Sequence, residues 1–172
     1  MVTWIVPDEG WIKGNANGSL ISNSFCAGCG GLLRDEHGNW ISGFSRFLGR
    51  VSIIKAEAWA LLEVSRLAAT KNVANLALES DSLIVVNALS DSSNCPVEIM
   101  GIIREIRNAL SSFRSWRITH TWREGNACAD YMAGLAVNQS STDLVVWEIP
   151  PPPLRLLLLR DKLGLGVERG ER

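Results

Sequence analysis

Three glycine-punctuated apolar segments, Trp11 to Asn17, Phe25 to Arg34 and Trp40 to Leu48, follow one another with little chain between them. Connections that short favour an antiparallel meander. Asp35 to Asn39, with Gly38, reads as the turn between the second and third segments. From Ser52 the period changes to that of a helix: Ser52 suits an N-cap, and Glu57, Leu61, Val64 and Ala68 recur at offsets of four, three and four. One carboxylate therefore lies on an apolar stripe, where a surface helix normally keeps none, and it requires a partner or a purpose.

The run Leu76 to Glu79 reads as a buried strand that ends at Ser80, Asp81 and Ser82 before a further helix. A strand that returns after a helix implies parallel pairing through a crossover. Pro96 opens a longer helical segment to about Phe113, with Ile99, Ile102, Ile103, Ile106 and Leu110 as its apolar face. Trp116 to Trp122 alternates as a fifth strand, with Ile118 and His120 on the Trp face, and a last helix starts near Asn126 with Ala127, Asp130, Gly134 and Val137 on one stripe. The expected fold is α/β: a five-stranded mixed sheet, three antiparallel strands then two parallel ones, flanked by helices.

A chain of 172 residues with 47% apolar and 20% charged residues suits one soluble globular domain. We place that domain at 1–139 and read 140–172 as a proline-rich C-terminal tail, in which Pro150 to Pro153 form a stiff extended spacer before Leu154 to Leu159. No leader and no apolar run long enough for a bilayer are evident, so an intracellular monomer without a membrane partner is expected, nuclear and cytoplasmic locations being equally compatible. Four cysteines suit a reducing compartment; Cys26 and Cys29 have an odd offset along a strand and read as core thiols rather than zinc ligands. A net charge of -1 gives no overall basic field, so nucleic-acid binding would rest on a local patch such as Arg104, Arg107, Arg114, Arg117 and Arg123, which read equally as solvated faces. No GxSxG, P-loop or GxGxxG string is present, and of the two histidines His37 reads as solvated and His120 as a packed core residue.

Glu57, Asp81 and Asp130 stand where elements begin, end or bury a face, and such positions can converge on one cleft. Clustered carboxylates repel one another, so a cluster points to a bound cation; hard oxygen ligands with few histidines favour magnesium or manganese over zinc. Taken singly, each acid has a plainer reading: Asp81 as a helix cap, Glu57 paired with a buried arginine, Asp130 favouring a helix dipole.

The ordered strings Asn15-Ala16-Asn17-Gly18, Gly30-Gly31-Leu32-Leu33-Arg34-Asp35 with Gly38-Asn39-Trp40, Lys55-Ala56-Glu57-Ala58-Trp59-Ala60-Leu61, Glu79-Ser80-Asp81-Ser82, and His120 to Asn126 leading to Ala129-Asp130 resemble the plant ribonuclease H-like domains related to type 1 ribonuclease H, over about Gly10 to Leu163. The resemblance implies a magnesium- or manganese-dependent endonuclease that cuts the RNA strand of an RNA-DNA hybrid, with metal ligands at Asn17, Glu57, Asp81 and Asp130. It also implies nucleic-acid contacts at Gly18, Ser19, Gly30, Ser82, Arg123 and Asn126.

Three positions depart from the family pattern. Asn17 stands where the family has an Asp, Leu83 where it often has a polar residue, and the Arg123 to Asn126 loop lacks the usual histidine. Two divalent ions about 4 Å apart repel by roughly 17 kcal/mol at an effective dielectric near 20, so losing a ligand charge implies weak metal occupancy and reduced or absent cleavage. A catalytically silent nucleic-acid-binding module, or a protein-interaction module using the tail and exposed Trp residues, is the alternative.

Overall fold

The protein, seen in a computed structural model that describes residues 1–170, is built on a six-stranded mixed sheet in the order β5-β4-β1-β2-β3-β6. The meander is present: β1 (Ile12–Ile21), β2 (Cys26–Arg34) and β3 (Trp40–Gly49) pair antiparallel. Its second turn closes because Asp35 Oδ1 accepts the backbone N–H groups of His37 and Asn39. Gly38 there takes a φ of +78°, a conformation that a side chain would resist.

Helix α1 (Ile53–Thr70) is capped by Ser52, whose hydroxyl accepts the Lys55 N–H, and the expected stripe of Glu57, Leu61, Val64 and Ala68 is buried. It crosses over to β4 (Asn75–Ser80), which runs parallel to β1. Helices α2 (Leu83–Ser90) and α3 (Met100–Leu110) then lead to β5 (Ser115–His120), parallel to β4. Ile103, Ile106 and Leu110, with Ile99 from the preceding turn, bury against α1 and that face of the sheet.

Helix α4 (Ala127–Ala136) covers the opposite face, where Cys128, Ala129 and Met132 pack on Leu32. Its expected stripe is shifted: Cys128, Ala129, Met132, Ala133 and Ala136 are buried, whereas Ala127, Asp130, Gly134 and Val137 form a half-buried flank. Small residues lie all round this helix, so its period does not single out one face. The close approach of α4 is set by Gly30, where a Cβ would lie 2.3 Å from the Ala133 nitrogen. Cys29 is buried on the α1 side and Cys26 is half-buried; all four cysteines are free.

The segment read as a tail folds onto the domain. Its residues β6 (Val145–Trp147) pair antiparallel with β3 and supply the sixth strand, too short for any alternation to announce it. The prolines form no extended spacer, because Pro152–Leu154 make a helical turn that leads into α5 (Arg155–Lys162), with Leu154 fully buried.

A buried charge explains why this segment docks. Arg34, on β2, is 1% exposed, and its guanidinium lies 3.6 Å over the Trp4 ring and donates to Asn15 Oδ1 at 2.8 Å. A buried cation needs a counter-charge. Asp161 of α5, itself 4% exposed, accepts from Arg34 at 2.9 Å. Asp161→Ala strands Arg34 without its anion and is expected to cost about 3–5 kcal/mol in urea unfolding, with Arg34→Met/Asp161→Leu recovering most of it; an Asp161→Ala protein as stable as the parent would contradict this.

Candidate active site

Strand β1 is the axis of the site. Alternation along it turns Asn15 and Asn17 toward α4, and Ala16 and Gly18 toward α1. Ala16 pairs with Ser80, so Asn17 on β1 and Asp81 after β4 lie one residue further along neighbouring strands. At Gly18 a Cβ would sit 2.7 Å from the Glu57 nitrogen, so the missing side chain lets α1 bring Glu57 up against β1.

Glu57, in the second turn of α1, is 8% exposed, and its Oε2 is buried without a hydrogen-bond partner. Burial, then the negative charges of Asp81 and Asp130, push its carboxyl up to about 8, against the pull of a hydrogen bond from the Gly18 N–H. Burial and Asp130 also raise Asp81, whereas its own backbone N–H, Arg123 and His120 hold it down. Asp81 does not cap α2; Ser82 holds the cap position without a side-chain bond. Asp130 is 43% exposed, accepts a hydrogen bond from Asn17 Nδ2 at 2.9 Å, and lies 4.0 Å from the Arg123 guanidinium.

These groups line one open cleft of about 480 Å³, whose polar wall is Asn17, Gly18, Ser19, Glu57, Asp81, Ser82, Arg123 and Asp130. Two sequence-expected contacts are elsewhere. Gly30 is filled by the α4 backbone and cannot meet nucleic acid. Asn126 is 1% exposed, its Nδ2 donating to the Ala16 carbonyl and its Oδ1 accepting from Asn15. Asn126 thereby fastens the start of α4, four residues before Asp130, to β1.

Of the five arginines, Arg104 and Arg107 line a separate cavity beside α3. Arg107 donates to the Ala88 and Leu89 carbonyls, Arg117 pairs with Asp8 and covers Trp11, and of the five Arg123 lines the cleft. His120 is not a core residue: β5 is an edge strand, and the half-buried ring meets the exposed Trp122 edge-on at 5.3 Å. His37 is solvent-exposed, as expected.

The cleft also has an apolar rim of Leu20, Ile53, Ile54 and Ile84, which no local sequence pattern announces, and a buried polar group beneath it. In that group Asn15 Nδ2 donates to Glu79 Oε2 at 2.9 Å and to Asn126 Oδ1, while Lys13 pairs with Glu79. Lys13, Asn15 and Asn17 at alternate positions of one strand were the available signal.

The residues that could hold a cation are Glu57, Asp81 and Asp130. The unpartnered Glu57 oxygen and the three mutually repelling carboxylates suit a hard divalent ion. Among the described residues, however, no group of three His, Cys, Asp or Glu side chains is drawn together closely enough to hold one as they stand. The Asn17 amide presents N–H, not charge, to Asp130, and so occupies an acceptor that a metal would use.

A meander continued by two parallel strands, with acids from α1, the end of β4 and α4 facing one cleft, defines a ribonuclease H-like domain. The reverse transcriptase-like family model matches residues 15–136, and the chain belongs to that family. It is 34% identical over 168 residues to a protein of Arabidopsis thaliana provisionally named a ribonuclease H protein, covering 95% of this chain and 26% of that one. The chain therefore spans about a quarter of that curated relative's length. Ribonuclease H1 of the archaeon Halobacterium salinarum superposes with a TM-score of 0.70 at 25% identity, over 74% of this chain and 98% of its own. LC11 ribonuclease H1, from compost, solved in complex with an RNA/DNA hybrid, gives 0.66 at 21% identity, over 74% and 96%.

The raised Glu57 carboxyl has a measurable consequence. The unfolded chain loses this proton near pH 4.5 but the folded one holds it to about pH 8, so folding is progressively disfavoured as pH rises through that window. Glu57→Gln removes this penalty, which grows by at most about 1.4 kcal/mol with each step of one in pH across the window. Urea unfolding in chelator is expected to show the variant gaining stability over the parent toward pH 8 and losing that advantage near pH 4.5; parallel pH profiles would contradict it.

Proposed function

We propose that this chain is a ribonuclease H-type nucleic-acid-binding domain whose cleft takes the RNA strand of an RNA-DNA hybrid and whose metal-dependent endonucleolytic cleavage is impaired at Asn17. The observation that carries the reading is the meeting of Glu57, Asp81, Asp130 and Asn17 in one cleft, with the Asn17 amide spent on Asp130. The family, and a structural neighbour solved with an RNA/DNA hybrid, support the choice of substrate class.

Glu57, Asp81 and Asp130 would hold magnesium or manganese, weakly. A bound ion of this kind polarises the scissile phosphate and lowers the pKa of an attacking water. The chain's own residues account for the rest. Arg123 supplies a cation beside the acids for an incoming phosphate, and the Ser19 and Ser82 hydroxyls stand at the polar wall. The absence of a side chain at Gly18 lets α1 bring Glu57 against β1, and the buried Oε2 there is left without a partner.

A silent nucleic-acid-binding module is the second reading, favoured by the Asn17–Asp130 hydrogen bond itself. With a neutral amide at this position, less ligand charge is available to offset repulsion between two ions. Cleavage of a labelled RNA-DNA hybrid in manganese decides between the two. The unmodified chain is expected to cut slowly and Asn17→Asp at least about tenfold faster, in line with what even indirect changes at metal sites cost. No cutting by either protein, with hybrid still bound, would establish the silent module; equal, rapid cutting by both would overturn the role given to Asn17.

A further inference from the structure

Beside the acidic cleft lies a surface that the cleavage chemistry does not use. Trp122 follows β5 and is 46% exposed, a large aromatic area to leave in water. It is nevertheless held in place. Its carbonyl accepts the Gly125 N–H at 2.9 Å, and the His120 ring abuts it nearly perpendicular, at 85°. One flat face is covered by Arg169, whose guanidinium carbon lies 3.4 Å from the ring centre. The segment bearing Arg169 returns to this point through two contacts. Val167 pairs with Val2 by two 2.8 Å backbone hydrogen bonds, and the Gly170 N–H donates to Glu124 Oε1 at 3.1 Å.

The ring is continuous with the cleft along the chain. Arg123, the next residue, lines the cleft and lies 4.0 Å from Asp130. His120, against the ring, pairs with Ser80, the residue before Asp81, and the Thr121 N–H donates to the Ser80 carbonyl at 3.0 Å. A flat aromatic face covered by one guanidinium and followed along the chain by a second, which lines the cleft, matches a nucleobase with its neighbouring phosphate, because every base offers a π-face and every phosphate a charge. An acidic or apolar protein segment would use the arginines or the indole, but not both.

We propose that Trp122 is a stacking platform for an unpaired base at the mouth of the cleft, and that Arg169 is a ligand from the chain itself that the base displaces. An exposed guanidinium over an indole is a weaker partner than a stacked base, so the exchange favours the base. The proposal rests on the reading that the cleft takes nucleic acid, and it adds a preference: a strand that extends unpaired beyond the hybrid is gripped better than a blunt end.

The test is fluorescence anisotropy, in chelator to prevent cutting, with a blunt RNA-DNA hybrid and the same hybrid carrying a single-stranded extension. The extension is expected to tighten binding by the unmodified chain about tenfold, the scale of one base stacked on an aromatic. Trp122→Ala loses that increment and keeps its blunt-hybrid affinity, Trp122→Phe retains most of the increment, and Arg169→Ala enlarges the ratio of extended to blunt affinity. Unchanged urea midpoints establish that the variants are folded. An increment identical in the parent and Trp122→Ala, or none in the parent, overturns the platform while blunt binding leaves the hybrid reading intact. A reduced ratio in Arg169→Ala overturns the displaced-ligand part. Extended strands bound through Trp122 with no blunt-hybrid binding would instead sink the hybrid reading and leave the platform standing.

Discussion

Three carboxylates facing one cleft repel each other, and a positive or N–H-bearing group is placed against each. Glu57 has the Gly18 N–H, Asp81 has its own backbone N–H with Arg123 and His120 nearby, and Asp130 has the Asn17 amide. The compensation is uneven. Asp130, half in solvent, has the Asn17 amide and Arg123 at its Oδ1, whereas Glu57 keeps a buried oxygen with no partner and a carboxyl that resists ionisation. The charge deficit of the site is thus concentrated at the residue carried by α1.

The scaffold that enforces this meeting is made of close backbone approaches and one polar group. Without side chains at Gly18 and Gly30, β1 and β2 approach α1 and α4 at distances no Cβ would permit. Asn15 bonds to Glu79, two residues before Asp81, and to Asn126, four before Asp130. Through Arg34 the same asparagine connects to Asp161 and hence to α5. The C-terminal segment thereby bears on the face of the sheet that carries Asn17, although it contributes no group to the cleft wall.

Elements with strong local periodicity were legible in the chain. The meander, the Glu57 stripe of α1 and the isoleucine face of α3 follow from alternation or a helical period, and the acids stood out as a set at element ends and on a buried face, although each alone had a plainer reading. What escaped was non-local or of low contrast. Nothing near Asp161 reveals a partner on β2, and three residues of β6 carry no alternation. The all-round small residues of α4 concealed which flank faces the sheet. His120 departs from the expected core place because alternation tells which side a residue faces but not that β5 lies at the sheet's edge, where that side is only half covered. Gly30 and Asn126 lie on the right elements, yet their places are taken up by packing and by a buried hydrogen bond.

The amide at Asn17 is the point on which the functional account turns, and counting the ions bound is the most direct examination of it. Manganese titration followed by electron paramagnetic resonance reports free and bound ion, as well as any coupling between neighbouring ions. The account predicts that the unmodified protein binds fewer than two manganese ions and gives no spin-coupled pair. A coupled pair bound tightly with Asn17 in place would contradict it.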